Sequence, residues 1–173
     1  MNLYPSITTL RSFLAYKFSV LRMKALRASL WAKLTGTEST LVLFPKHDPR
    51  LSLSRKLLGP KTIHVDQIVG TLNRESDFDQ HFRPLKKHTL QRWINAYLMN
   101  EQDGWAPITV HKVDGHYFVE DGHHRVSVAR YIGMDFIEAK VWEYSTQAKP
   151  ANVRQLVKCT EKSSTKSYTT AKT

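Results

Sequence analysis

Residues 108–133 read ITVHKVDGHYFVEDGHHRVSVARYIG, and this run decides the fold. Ile108 to Val113 and His116 to Glu120 are β-prone, and the Asp114-Gly115 pair between them is the dipeptide that a two-residue hairpin turn demands. Asp121-Gly122 then turns the chain into a helix from Arg125 to Ile132. In that helix Val126, Val128, Ala129 and Ile132 can face a core, and Gly133 supplies the stop.

Downstream, Phe136 to Trp142 reads as a closing strand. Upstream, Leu90, Trp93, Ile94, Tyr97 and Leu98 recur at helical spacing and predict a helix over about Leu85 to Glu101. Gly70 to Pro84 is too polar for a strand and rich in turn formers, which predicts a structured loop or short helical turns. Ile63, Val65 and Ile68 suggest one strand, and Thr40 to Phe44 suggests another that Pro45 ends. Asp48-Pro49 and Gly59-Pro60 mark turns around a basic, Leu-rich piece, Arg50 to Leu58, to which patterning assigns no element. Strand, loop, helix, hairpin, tight turn, helix, strand, with no internal repeat, is α+β or mixed α/β.

The 173 residues, 41% hydrophobic and 24% charged, suit one domain able to bury roughly 70% of its unfolded surface. The lone Cys159 excludes a disulfide scaffold, and no Cys/His finger spacing is present. A reducing, cytoplasmic setting follows as the expectation.

The net charge of +11 sits at the ends. Residues 1–37 carry Arg11, Lys17, Arg22, Lys24, Arg27 and Lys33 without an acid. Residues 145–173 carry six bases against Glu161, which leaves the stretch between electrically balanced. The expected organisation is a basic N-terminal helix over 1–37, a domain over 38–144 and a basic Ser/Thr/Lys-rich tail over 145–173, disordered because it has too little apolar surface to order itself. Such ends attract polyanions, whether nucleic acid or anionic membrane, or simply keep the surface solvated.

From Ser6 to Thr35 the chain is free of Pro and Gly, and leucines and phenylalanines alternate with bases, which predicts a helix stopped by Gly36. Its apolar positions do not form one stripe, so a membrane-surface helix and packing on the domain stay open as alternatives. Lys17 interrupts the apolar run, against a signal peptide or a spanning helix, while the lack of acids also fits an organelle transit peptide.

The chemistry is expected at Glu120-Asp121-Gly122-His123-His124-Arg125, where a strand end meets a helix start. A helix N-terminus offers unpaired N–H groups and partial positive charge, and Gly122 lets a ligand approach the backbone. His123, His124 and Arg125 add donors for a polyphosphate, and Glu120 and Asp121 could hold a divalent cation or orient an attacking hydroxyl. The same residues also read as purely structural, with Asp121 capping the helix, Gly122 making the turn and both histidines exposed. A metal site from His111, His116, His123 and His124 has poor ligand spacing. Ser127 lacks a nucleophile elbow.

Ile63 to Tyr144 resembles the nucleotide-binding domain shared by ParB partition proteins, sulfiredoxin and free serine kinases. The likeness runs through Asn73-Arg74, Asp77-Phe78-Asp79, Pro107-Ile108-Thr109-Val110, the hairpin, and Asp121 to Arg125 with Ala129 and Gly133 following. It implies that Gly122, His123, His124 and Arg125 bind nucleotide phosphates together with Arg74, and that Asp121 matches an acidic residue near the transferred phosphate. Sulfiredoxin chemistry needs a cysteine where this chain has His123. Partition proteins carry Glu-Arg-Arg where this chain has His-His-Arg, and their DNA-reading and dimer domains do not fit into the residues after Tyr144.

Two functions therefore stand as expectations. One is a Mg²⁺-assisted nucleoside-triphosphate hydrolase or small-molecule phosphotransferase using ATP or CTP, with Asp121 and either Glu120 or Glu75 as base or metal contact. The other is a non-catalytic module whose pocket takes a nucleotide as a switch or is vestigial, docked on nucleic acid, DNA included, or on an anionic membrane by its basic ends. Oligomeric state is not encoded in either.

Overall fold

The hairpin is the centre of the sheet. β4 (Ile108–Val113) and β5 (His116–Asp121) pair antiparallel around Asp114 and Gly115, whose φ values of 48° and 83° are those of a two-residue turn with both central residues left-handed. The computed structural model describes residues 7–46 and 51–146. The expected Asp48-Pro49 turn and residues 147–173, nearly all of the expected tail, lie outside the described residues.

Around the hairpin stand β1 (Val42–Leu43), β2 (Leu51–His64), β3 (Ile68–Thr71) and β6 (Phe136–Thr146), in the sheet order β1-β3-β5-β4-β6-β2. β3 is parallel to β1 and β5, β6 is parallel to β4, and β2 is antiparallel to β6, which gives a mixed sheet. Three helices complete an α+β fold: α1 (Ile7–Thr35), α2 (Leu90–Gln102) and α3 (His123–Ile132).

Several boundaries depart from the sequence patterning, each for a physical reason. Arg50 lies outside the described residues, while Leu51 to Leu58 and the expected turn at Gly59-Pro60 belong to one 14-residue strand, β2. β2 is a sheet edge, so the N–H that Pro60 lacks costs no ladder bond, and a register shift between Leu57 and Gly59 absorbs the turn signal as a bulge. Arg55 over the Trp142 ring and the Thr62 hydroxyl donating to Glu138 at 2.6 Å tie the edge strand to β6. Ile63, Val65 and Ile68 form no single strand, because a 3-10 turn at Val65–Gln67 separates β2 from β3. Gly70 and Thr71, assigned to the polar loop, end β3 instead. β1 keeps only two residues of Thr40 to Phe44. α2 starts at Leu90 because the Leu85 amide donates to the Asp77 carbonyl and a 3-10 turn fills Lys87–Thr89. α3 starts two residues early, at His123.

The core is layered. One face of the sheet, with Ile68, Val110, Val119, Ala139 and Val141, packs under α3 through Val126 and Ala129 and under Phe78 and Phe82 of the β3–α2 loop. Behind it, Trp93 and Ile94 of α2 and Val128 of α3 receive Leu14 and Phe18 of α1, so the inner face of α1 packs on the domain. The opposite face of the sheet is covered by Phe44, Phe118 and Val113. Between the helices the Trp93 indole donates to the Ser127 hydroxyl at 3.1 Å, and both side chains are buried. Ser127→Ala leaves that N–H without an acceptor, and the expected cost is about 1–2 kcal/mol, read as a lower urea midpoint at unchanged slope.

Candidate functional site: a hollow at the start of helix α3

The turn from β5 into α3 is made possible by one residue. Gly122 is the N-cap of α3 with φ 101°, a backbone that side chains disfavour, and a Cβ built on it would lie 2.4 Å from Ile108 Cγ2. The cap offers no side chain, so the first N–H groups of α3, at His123, His124 and Arg125, have no intrahelical acceptor. The first turn of α3 borders a hollow of about 540 Å³. Asn73, Arg74 and Phe78 of the β3–α2 loop line it together with the turn Glu120 to Arg125. Arg92, Asn95, Ala96 and Met99 of α2 line it as well.

The α2 contribution is absent from the sequence-based site. Its signal is a helical row, since positions 92, 95, 96 and 99 share one face, but only the fold reveals that this face looks at α3. Arg92 is exposed and meets no carboxylate among the described residues, which makes it the least committed cation on the wall.

The predicted residues separate into distinct roles. Arg74 lines the hollow and donates to Asp77 Oδ2 at 3.0 Å. Glu75, one position along, is not among the lining residues. Glu120 turns its carboxylate to the buried His111, whose Nε2 donates to Oε2 at 2.9 Å and whose Nδ1 meets the Tyr144 hydroxyl. Asp121 does not cap the helix. Its side chain is 73% exposed and accepts from Arg125 at 2.6 Å. Arg125 also donates to the carbonyls of Ala106 and Pro107, so it clamps the chain entering β4 to the start of α3.

The histidines are not the exposed donors of the structural alternative. His123 is only 6% exposed and its ring stacks on Phe78. The Thr71 hydroxyl accepts from the amides of Asn73 and Arg74, which fills both its lone pairs, so its own proton goes to His123 Nε2 at 2.7 Å. The imidazole proton therefore sits on Nδ1, and His123 is a latch that fixes the loop carrying Arg74 against α3. His124 packs edge-on against Phe78, and its Nδ1 is buried without a hydrogen-bond partner.

Burial first, then the nearby Arg74 and His124, lowers the pKa of His123 to about 4. Burial first, then Arg92 and Arg74, does the same for His124. A folded pKa below the ordinary value of about 6.5 means that the unfolded chain takes up protons first as pH falls. Stability from this pair is complete above about pH 6.5 and is lost progressively down to about pH 4, so the urea midpoint should be lower at pH 5 than at pH 7. An equal or higher midpoint at pH 5 contradicts the neutral latch.

Mg²⁺ was expected at Asp121. Among the described residues no group of three or more His, Cys, Asp or Glu side chains is gathered as a metal site, which also disposes of a four-histidine cluster. Both predicted carboxylates at the hollow are exposed and already paired, Asp121 with Arg125 and Glu120 with His111. The hollow offers a divalent ion no pre-formed nest of side chains among the described residues.

A second hollow, of about 600 Å³, lies at the far end of α3 and includes Lys24, Asp66, Arg83, Arg130 and Asp135. It is larger but poorer in free charge. Arg83 is bound to the buried Asp79 at 2.6 Å, Arg130 donates to the Ile68 carbonyl at 2.7 Å, and a helix C-terminus disfavours anions.

No family model matches this chain, and no curated protein matches it. Among solved structures, the crystal structure of sulfiredoxin from Arabidopsis thaliana is similar over 58% of this chain and 96% of that one, at 20% identity and a TM-score of 0.36. No helix among the described residues is long and apolar enough to cross a membrane.

Proposed function

We propose that this protein binds a nucleoside triphosphate, ATP or CTP, in the hollow at the start of α3. The observation that carries the reading is that Arg74, Arg92 and the first turn of α3, His123, His124 and Arg125, line the same hollow. Backbone N–H groups and arginines favour phosphate oxygens, and a helix N-terminus adds partial positive charge. Toward Met99, some 10 Å along α2 from Arg92 by helical rise, Ala96, Met99 and Ala106 give an apolar end suited to a base, with Asn95 beside it as a hydrogen-bonding group.

The carboxylate pairings favour binding without turnover. Glu120 is held by His111 and Asp121 by Arg125, so neither is a free base in the unliganded protein. Hydrolysis or phosphotransfer would draw on Asp121, and would require phosphate to take Arg125 away from it.

A thermal-shift series with ATP, CTP and GTP, each with and without Mg²⁺, tests the reading. A ligand that binds only the folded state raises the melting temperature by mass action, and at least one triphosphate should do so in proportion to its concentration. No shift from any of them at millimolar concentration contradicts it. Phosphate release measured beside the binding ligand separates a module from an enzyme, and the pairings predict none above background.

A further inference from the structure

α1 has two apolar faces, and the fold uses one. Leu14, Phe18, Ala25 and Ala32 are buried. Phe13, Tyr16, Met23, Leu30, Trp31 and Leu34 are 49% to 74% exposed. At 3.6 residues per turn these six fall within an arc of about 100° on the side of α1 opposite the buried residues. Arg27 is the one base inside the arc. Lys17 and Lys24 flank it on one edge, Lys33 lies nearest the other, and Arg11 and Arg22 lie beside the buried face, where the Arg22 side chain donates to the Leu85 carbonyl. No acid occurs anywhere in the helix.

We propose that the outward face of α1 docks on an anionic lipid surface, lying in the plane of the headgroups. Aromatic and aliphatic side chains gathered in one exposed stripe are unusual on a protein in water, and mark a place where another apolar phase is met. The flanking bases select the sign of that phase. Lysine and arginine stems can run along the acyl boundary while their charges stay with acidic headgroups, which also accommodates Arg27 within the stripe. Other occupants fit less well. A second copy of α1 would bring Arg27, Lys17 and Lys24 against like charges, and a nucleic acid would be served by the bases while leaving Leu30, Trp31 and Leu34 in water. The helix, about 43 Å long by its rise, lies along the surface and does not cross it.

Cosedimentation of the full chain with phosphatidylcholine vesicles, with and without phosphatidylserine, tests the proposal. The native protein should sediment with the anionic vesicles and far less with the neutral ones. The double variant Leu30→Glu, Leu34→Glu keeps every base outside the stripe and alters only exposed positions, so its urea midpoint should be unchanged, while its vesicle affinity should fall about tenfold or more. Equal binding by the native and variant proteins would assign attraction to the other bases of the chain and overturn the proposal. Absence of vesicle binding, or a native dimer that the double variant dissociates, overturns it as well. None of these outcomes depends on nucleotide, so the test is independent of the hollow at α3.

Discussion

Gly122→Ala should cost about 4 kcal/mol of stability and abolish nucleotide binding in whatever fraction remains folded. Two penalties act together. A side chain at φ 101° is strained by about 1–3 kcal/mol, and the new methyl would overlap Ile108, a fully buried residue of β4, at about 1–3 kcal/mol more. Relief requires α3 to move away from β4, which would carry the N–H groups of His123 to Arg125 off the hollow. Gly133→Ala is the matched control. It has φ 75° but nothing within 4 Å of the built Cβ, so it should lose only the conformational part. Urea titration of both variants measures the difference. Equal losses would remove Ile108 from the explanation.

Arg92→Ala should raise the dissociation constant for the nucleoside triphosphate roughly 10- to 100-fold, the equivalent of about 1.5–3 kcal/mol for a lost charged hydrogen bond. The urea midpoint should stay where it is, because Arg92 is exposed and pairs with no carboxylate among the described residues. Arg125→Ala should behave oppositely. Its guanidinium serves the carbonyls of Ala106 and Pro107 and the Asp121 carboxylate, so the variant should lose stability first and affinity as a consequence. Calorimetric titration beside urea unfolding separates the two. Affinity unchanged in Arg92→Ala would remove α2 from the site.

What the sequence disclosed follows the range of each interaction. The hairpin, the turn at Gly122 and the stop at Gly133 were legible because Asp114-Gly115 and the two glycines answer local backbone demands. β2 was hidden because Gly59-Pro60 is a turn signal in most settings, and only an edge position and a bulge convert it into strand. α1 showed no clean stripe because it carries apolar residues on two opposite faces, and only burial distinguishes the inner one, with Phe18, from the outer one, with Trp31.

The site divides the same way. Gly122 to Arg125 could be found from their place at a strand-to-helix corner. Their roles could not, because each depends on a distant partner: His123 on Thr71, Arg125 on Ala106, Glu120 on the sheet face that holds His111. Arg92 enters from a helix some thirty residues away in sequence and gives no sign of its neighbours until α2 and α3 are packed through Trp93 and Val128.

Amide chemical-shift mapping of the ¹⁵N-labelled protein during titration with ATP or CTP interrogates the α3 hollow most directly. The largest, saturable shifts should fall on His123, His124 and Arg125 and on Asn73 and Arg74, with the Arg92 side chain following. Shifts centred on Arg83 and Arg130 at the opposite end of α3, or none at saturating nucleotide, would contradict it.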